Sequence, residues 1–234
     1  MSRQEEKVAL SGIKMASNRK KRVIQTARKR EKRGRVYLAV AIVAIVIIGA
    51  ALYVYASSQA NNTPSIVYAK LNTSQGVIEV ELYHNSAPKT VDNFVNLANS
   101  GFYNNLVWHR IAYNFVIQTG DPNSRNALNN ATWGQGGSSQ TIPLEIDSSL
   151  HNYAGYLGMA STSPGVGITS QFFINLKDTN SQALDGKYTV FAKVISGMNV
   201  ANAIGNLPIY NPPDGQPINP ANAMLNSVTI SNTP

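Results

Sequence analysis

The sequence predicts a mainly β domain, a closed barrel capped by two helices, preceded by a single transmembrane helix. Three observations carry this reading. Six short β-rich runs, each bounded by Gly, Asn, Ser or Asp, crowd residues 66–230. Two stretches among them repeat apolar residues at helical spacing, and many strands with few helices point to a barrel closed at its ends. Residues 36–56, VYLAVAIVAIVIIGAALYVYA, contain no charged side chain. At ~1.5 Å of rise per residue such a run can cross a ~30 Å hydrocarbon layer.

The N-terminal elements follow from charge. The chain carries a formal charge of +8, but residues 1–35 hold 13 of its 20 Lys and Arg against only Glu5, Glu6 and Glu31. That segment is about +10, and the remainder is about −2. The basicity belongs to a tail, so the main domain gives no ground for expecting a nucleic-acid partner. The tail itself reads as a topology determinant; RNA, DNA or anionic lipid are its other possible ligands. NRKKRVIQTARKREKRGR (18–35) lies just before the apolar run, and Tyr37, Tyr53 and Tyr55 lie near the run's ends. The positive-inside tendency then makes 1–35 cytoplasmic, 36–56 the contact with the lipid bilayer, and the C-terminal domain extracytoplasmic, in a single-pass protein of the cell membrane. A cleaved signal peptide ending at VYA (54–56) is the rival. SSQANNTPS (57–65) reads as a flexible linker.

The folded domain is expected over 66–232. Its strands are expected in IVYAKLNT, GVIEVELY, WHRIAYNFVIQTGD, SQFFINL, YTVFAKVI and MLNSVTI. In SAPKTVDNFVNLANSGF, Val91, Phe94, Val95 and Ala98 recur at helical spacing, with Ser86 as N-cap, Pro88 in the first turn and Gly101 at the stop. A second, shorter helix is expected in GMNVANAIGNL.

Composition excludes several chemistries. With no cysteine there is no disulfide, thiol nucleophile or Cys-ligated metal. No HExxH, Walker A or GxSxG pattern occurs, and GQGG (134–137) is a glycine loop without a following Lys-Ser/Thr. His84, His109 and His151 lack metal-ligand spacing, so no metal and no cofactor are expected. Glu79 and Glu81 alternate with apolar residues and read as a solvated strand face.

One feature resists a plain core reading. WHRIAYNFVIQTGD (108–121) has the composition of a buried strand but contains Arg110 and Gln118. A guanidinium is rarely buried without a partner. The stretch FVNLANSGFYNNLVWHRIAYNFVIQTGD, with GYLGMAS, TSQFFINL and LDGKYTVFAKVISGMNV in that order, resembles the cyclophilin family of peptidyl-prolyl cis-trans isomerases over residues ~66–232. The resemblance implies an eight-stranded antiparallel barrel closed by two helices, with proline-containing polypeptides as substrates. It also implies that Arg110 points out of the barrel into a peptide groove.

By the same resemblance Arg110, Phe115 and Gln118 are the catalytic set, with Gln118 orienting the arginine. Phe115, Val116, Phe173 and Leu184 seat the proline ring and Tyr188 rims it. Ala160, Ser161, Thr162 and Gln171 line the path of the peptide backbone. The chemistry suits a chain without nucleophile or metal, because isomerisation breaks no covalent bond. Several residues depart from the family pattern. Ala183 stands where many members carry a large aromatic, which implies weaker binding of cyclosporin-type inhibitors. Val116 replaces a longer side chain, Ser161 an Asn, and Thr119 a Gly. A monomeric, membrane-anchored isomerase assisting extracytoplasmic folding is the leading expectation. A non-catalytic, membrane-tethered module that binds proline peptides or acts as a scaffold is its alternative, and a third reading makes the basic tail the functional part.

Overall fold

The computed structural model describes residues 44–54, 67–126, 130–163 and 165–234. The chain divides into two units, Met1–Thr63 and Pro64–Pro234. In the first, residues 44–54 form helix α1, whose side chains are all exposed. The rest of the expected 36–56 span, the tail 1–35 and the linker 57–65 lie outside the described residues. Among the described residues, no helix is long and apolar enough to cross a membrane.

The second unit opens on a hairpin that explains itself. In β1 (Val67–Thr73) and β2 (Gly76–Leu82) alternate residues turn inward. Val67, Ala69, Leu71, Ile78, Val80 and Leu82 are buried, as period-two patterning requires when one sheet face meets the core. The outward residues pair across the ladder: Lys70 lies opposite Glu79, and their charges meet at 3.0 Å. Both are partly solvated, so the pair adds little stability and Glu79 belongs to the solvated face.

Helix α2 (Pro88–Asn99) presents Val91, Phe94 and Ala98 to the core and packs over the last strand. Proline fits its first turn, where the missing N–H has no partner to lose. The expected cap, Ser86, does not serve: Ala87 occupies the N-cap position and caps nothing with its side chain. The Glu145 carboxylate takes that role from a distant loop. It accepts from the Lys89 and Thr90 amides at 3.1 and 2.8 Å and from the Thr90 hydroxyl at 2.8 Å. A carboxylate there satisfies orphan donors and faces the positive helix end.

The remaining strands are β3 (Leu106–Val107), β4 (Arg110–Ala112), β5 (Val116–Thr119), β6 (Tyr156–Met159), β7 (Phe172–Asn175), β8 (Val190–Ser196), β9 (Asp214–Gly215) and β10 (Met224–Ser231). A one-turn helix, α3 (Ser181–Leu184), precedes β8, and α4 (Met198–Gly205) follows it, packing against β2, β4 and β5. All strands join one sheet in the order β3-β10-β1-β2-β8-β6-β7-β5-β4-β9. Among the described residues the expected closed eight-stranded barrel is therefore corrected to an open ladder of ten strands with two unpaired ends.

The reason lies at Trp108 and His109. The chain pairs with β10 through β3, breaks at these two buried residues, and then pairs with β5 through β4. One continuous segment, 106–112, thus links β3, at one end of the sheet, covalently to β4, one strand in from the other end. The core inside holds Phe94, Tyr103, Trp108, Phe172 and Phe191. Phe172 meets Phe94 edge-on at 5.5 Å and Trp108 at 5.9 Å, a favoured aromatic geometry.

Candidate active site

Strand register resolves the puzzle of Arg110. On β4, β5 and β7 one side-chain face turns inward, placing Ile111, Ile117, Phe172 and Ile174 in the core. The opposite face turns outward. Across it Arg110 stands opposite Gln118, Gln118 opposite Phe173, and Phe173 opposite Gly158 of β6. Arg110 is thus a strand residue on the outer face, with its side chain 38% exposed, and no buried guanidinium arises.

That outer face is unusual in being apolar. Ala112, Val116, Phe173 and Leu184 form a second buried cluster separate from the main core, with Phe115, Ala160 and Tyr188 packed against it. Tyr188 meets the Phe173 ring edge-on at 5.6 Å. Together Arg110, Phe115, Val116, Gln118, Ala160, Ser161, Phe173, Leu184 and Tyr188 line a cavity of about 150 Å³. A second cavity of about 280 Å³ shares Gln118, Ala160 and Ser161 with the first and is also lined by Thr162 and Gln171. Every residue that the sequence placed at the site therefore lines one of these two neighbouring cavities.

A relay of hydrogen bonds runs between them. Arg110 Nη1 donates to Gln118 Oε1 at 3.2 Å, and Gln118 Nε2 donates to Gln171 Oε1 at 2.9 Å. Gln171 Nε2 in turn donates to the carbonyls of Gly134 and Gly136 at 3.1 and 2.6 Å. The glycine loop thus anchors the chain of amides that ends on the guanidinium. On its other edge Arg110 meets Asp214 of β9: Nε donates to Oδ1 at 3.0 Å and Nη2 to Oδ2 at 2.6 Å. Arg110 also lies over the Phe115 ring, 6.0 Å from its centroid.

Gly158 makes room for the cavity floor. A Cβ at this position would lie 2.4 Å from Phe173 Cζ and 2.9 Å from both Cε atoms. Gly158→Ala is therefore expected to push the Phe173 ring into the cavity. Overpacking of this kind costs ~1–3 kcal/mol of stability, and the apparent peptide affinity should fall with it. Parallel melting curves and peptide titrations check this; an unchanged affinity would place the ring outside the binding site.

His109 is not part of this outer face. It is buried under the glycine loop, with Gly134 close by. Burial pulls its imidazole down to about 4. Among the described residues neither ring nitrogen completes a hydrogen bond; the Val107 backbone and the Gln171 side chain come near without reaching bonding geometry. It is neutral near pH 7 and enclosed, which suits packing rather than proton transfer. Among the described residues no group of three or more His, Asp or Glu side chains could hold a metal.

Comparison with known proteins gives this geometry a family. Residues 68–232 match the family model described as cyclophilin type peptidyl-prolyl cis-trans isomerase/CLD. The chain belongs to the cyclophilin family of peptidyl-prolyl cis-trans isomerases. Its relatives include peptidyl-prolyl cis-trans isomerase-like 1 of Emericella nidulans, 46% identical over 138 residues, or 57% of this chain and 78% of that protein. A peptidyl-prolyl cis-trans isomerase of Acinetobacter baylyi is 40% identical over 142 residues, 59% of this chain and 72% of the relative. Among solved structures, a cyclophilin type isomerase of Cryptosporidium parvum superposes with a TM-score of 0.63 at 30% identity, covering 72% of this chain and 99% of that one. The same protein crystallised in the presence of the dipeptide Ala-Pro gives a TM-score of 0.62.

The departures from the cyclophilin pattern find their places. Thr119 is fully buried, and its hydroxyl donates to the Val107 carbonyl at 2.9 Å, so the exchange for glycine is locally satisfied. Ala183 is exposed on α3 and lines neither cavity. The Ser161 hydroxyl is buried between the cavities and has no partner among the described residues. Two contributions escaped the sequence reading. The glycine loop looked chemically idle, and Asp214 drew no notice; only the tertiary fold brings either to the arginine.

Proposed function

We propose that this cyclophilin turns X-Pro bonds with Arg110 as the catalytic donor and acts as a membrane-tethered isomerase on extracytoplasmic polypeptides. The observation that carries the catalytic part is the guanidinium held at the mouth of an apolar cavity by Gln118 and Gln171. The rotational barrier, ~18–20 kcal/mol, arises from the partial double bond between carbonyl carbon and prolyl nitrogen. An N–H aimed at that nitrogen localises its lone pair and weakens the resonance. Guanidinium suits the task because it stays charged and presents its donors in a fixed fork.

The other residues hold the substrate. Phe115, Val116, Phe173 and Leu184 seat the pyrrolidine ring, with Tyr188 at the rim. Ala160, Ser161, Thr162 and Gln171 follow the peptide backbone, and the unpartnered Ser161 hydroxyl offers it a hydrogen bond. Binding the twisted amide more tightly than either planar form is what accelerates rotation. Ala-Pro, the dipeptide present with the Cryptosporidium parvum protein, has the matching chemistry of an X-Pro bond.

The tethering rests on the charge asymmetry across 36–56 and on α1, which exposes Ile45, Val46, Ile47 and Ile48. Two measurements test the reading. The purified chain should accelerate cis-trans relaxation of a proline peptide, and no acceleration would refute the catalytic part. Protease added to right-side-out vesicles should digest the domain; full protection, or release of a soluble form starting near residue 57, would refute the tethered topology.

A further inference from the structure

We infer that Asp214 is a positioning residue for the catalytic arginine, an inference that rests on the role of Arg110 proposed above. The Asp214 carboxylate accepts three hydrogen bonds in the described residues, all from Arg110: Nε to Oδ1 at 3.0 Å, Nε to Oδ2 at 3.2 Å and Nη2 to Oδ2 at 2.6 Å. This is the side-on, two-point fork that a planar guanidinium and a carboxylate make best. Gln118 holds the far corner through Nη1. A guanidinium has five N–H donors. Asp214 and Gln118 engage one on each of the three nitrogens, which among the described residues leaves one on Nη1 and one on Nη2 for the cavity that Arg110 lines.

Both clamps are needed for a physical reason. A half-exposed arginine has long, freely rotating bonds, and a single contact at one corner lets its plane swing. A donor that must meet a prolyl nitrogen only in the twisted state gains from being fixed beforehand. The carboxylate, 45% exposed, retains enough water that its charge is not stranded, so it steers the plane without a large desolvation cost.

The backbone delivers Asp214 independently of its side chain. Strand β9 pairs with β4, setting Asp214 opposite Ala112 and Gly215 opposite Ile111. The Tyr113 amide donates to the Pro213 carbonyl at 2.9 Å, and the Tyr210 amide to the Gln216 carbonyl at 2.8 Å. Gly215 is required by contact: a Cβ there would lie 1.8 Å from the Tyr210 carbonyl oxygen. The loop is thus held by main-chain bonds that a change at Asp214 leaves in place.

The test is a double-mutant cycle on the intact chain with a proline peptide. D214A is expected to lower kcat about fivefold, the upper end for a partly exposed ion pair, with KM changed less than about twofold, the signature of a contact that matters in the transition state. D214N, keeping one acceptor oxygen, should fall between D214A and the parent. In an Arg110→Ala background D214A should have no further effect. The Arg110 Nε–H resonance, protected in the parent, should exchange freely with solvent in D214N. Unchanged or raised turnover in D214A, or a further loss in the Arg110→Ala background, overturns the inference while leaving the role of Arg110 intact. Parent-like turnover in Arg110→Ala itself overturns both.

Discussion

Arg110→Ala is expected to lower isomerase turnover at least tenfold while the fold survives. Uncatalysed rotation takes tens of seconds. Bringing it to milliseconds requires lowering the barrier by about 5–6 kcal/mol. Removing one preorganised donor from an enclosed site typically costs ~10²–10³ in rate, so the arginine can supply a large part of that difference. The rest comes from the apolar seat built on Phe115, Val116, Phe173 and Leu184, which the substitution leaves alone. Stability should change little, because the side chain lies on the outer face and its partner Asp214 stays hydrated once released. Turnover, near-ultraviolet dichroism and melting, measured together, separate lost chemistry from lost structure.

Acid should destabilise the domain through His109. Its ordinary value is 6.5, and in the folded protein burial holds it at about 4. A depressed value means that folding favours the neutral ring. The stabilisation is fully present above pH 6.5 and is lost progressively as pH falls to about 4, where the folded ring also takes up a proton. At ~1.4 kcal/mol per unit, the loss across that window is on the order of 3 kcal/mol. His109→Gln cannot take up the proton, so its stability should fall less steeply. Urea unfolding of both proteins at pH 7 and at pH 4 measures the difference, with carboxylates such as Asp185 common to both. Parallel pH dependences would show that the ring is solvated rather than enclosed.

What could be read beforehand and what could not divides along contact range. The hairpin of β1 and β2 follows from alternation, and α2 from the spacing of Val91, Phe94 and Ala98. The strands β4, β5 and β7 were legible because WHRIAYNFVIQTGD and SQFFINL are local β-rich runs, whereas the roles given to Arg110, Phe115, Gln118 and Phe173 came from the family resemblance and from no local pattern. The strands β3 and β9, two residues each, are too short to show any period. Strand β6 carries Gly158, a weak strand former needed for the packing of Phe173, and its local pattern was correspondingly faint. The cap of α2 was misplaced because Glu145 reaches it from 55 residues away. Asp214 is 104 residues from Arg110, and no local pattern reports such a pairing. The break at Trp108 and His109, which opens the ladder, depends on how a curled sheet meets itself and leaves no trace in composition.

The most direct measurement of the central claim is exchange spectroscopy on a proline peptide whose cis and trans forms give separate resonances. Added parent protein should both shift those resonances and produce cross-peaks between the two forms on a sub-second timescale. Arg110→Ala should still shift them, through Phe115 and Phe173, but its cross-peaks should build up at least tenfold more slowly. Equally fast exchange with Arg110→Ala, or shifts without exchange for the parent protein, would contradict the account.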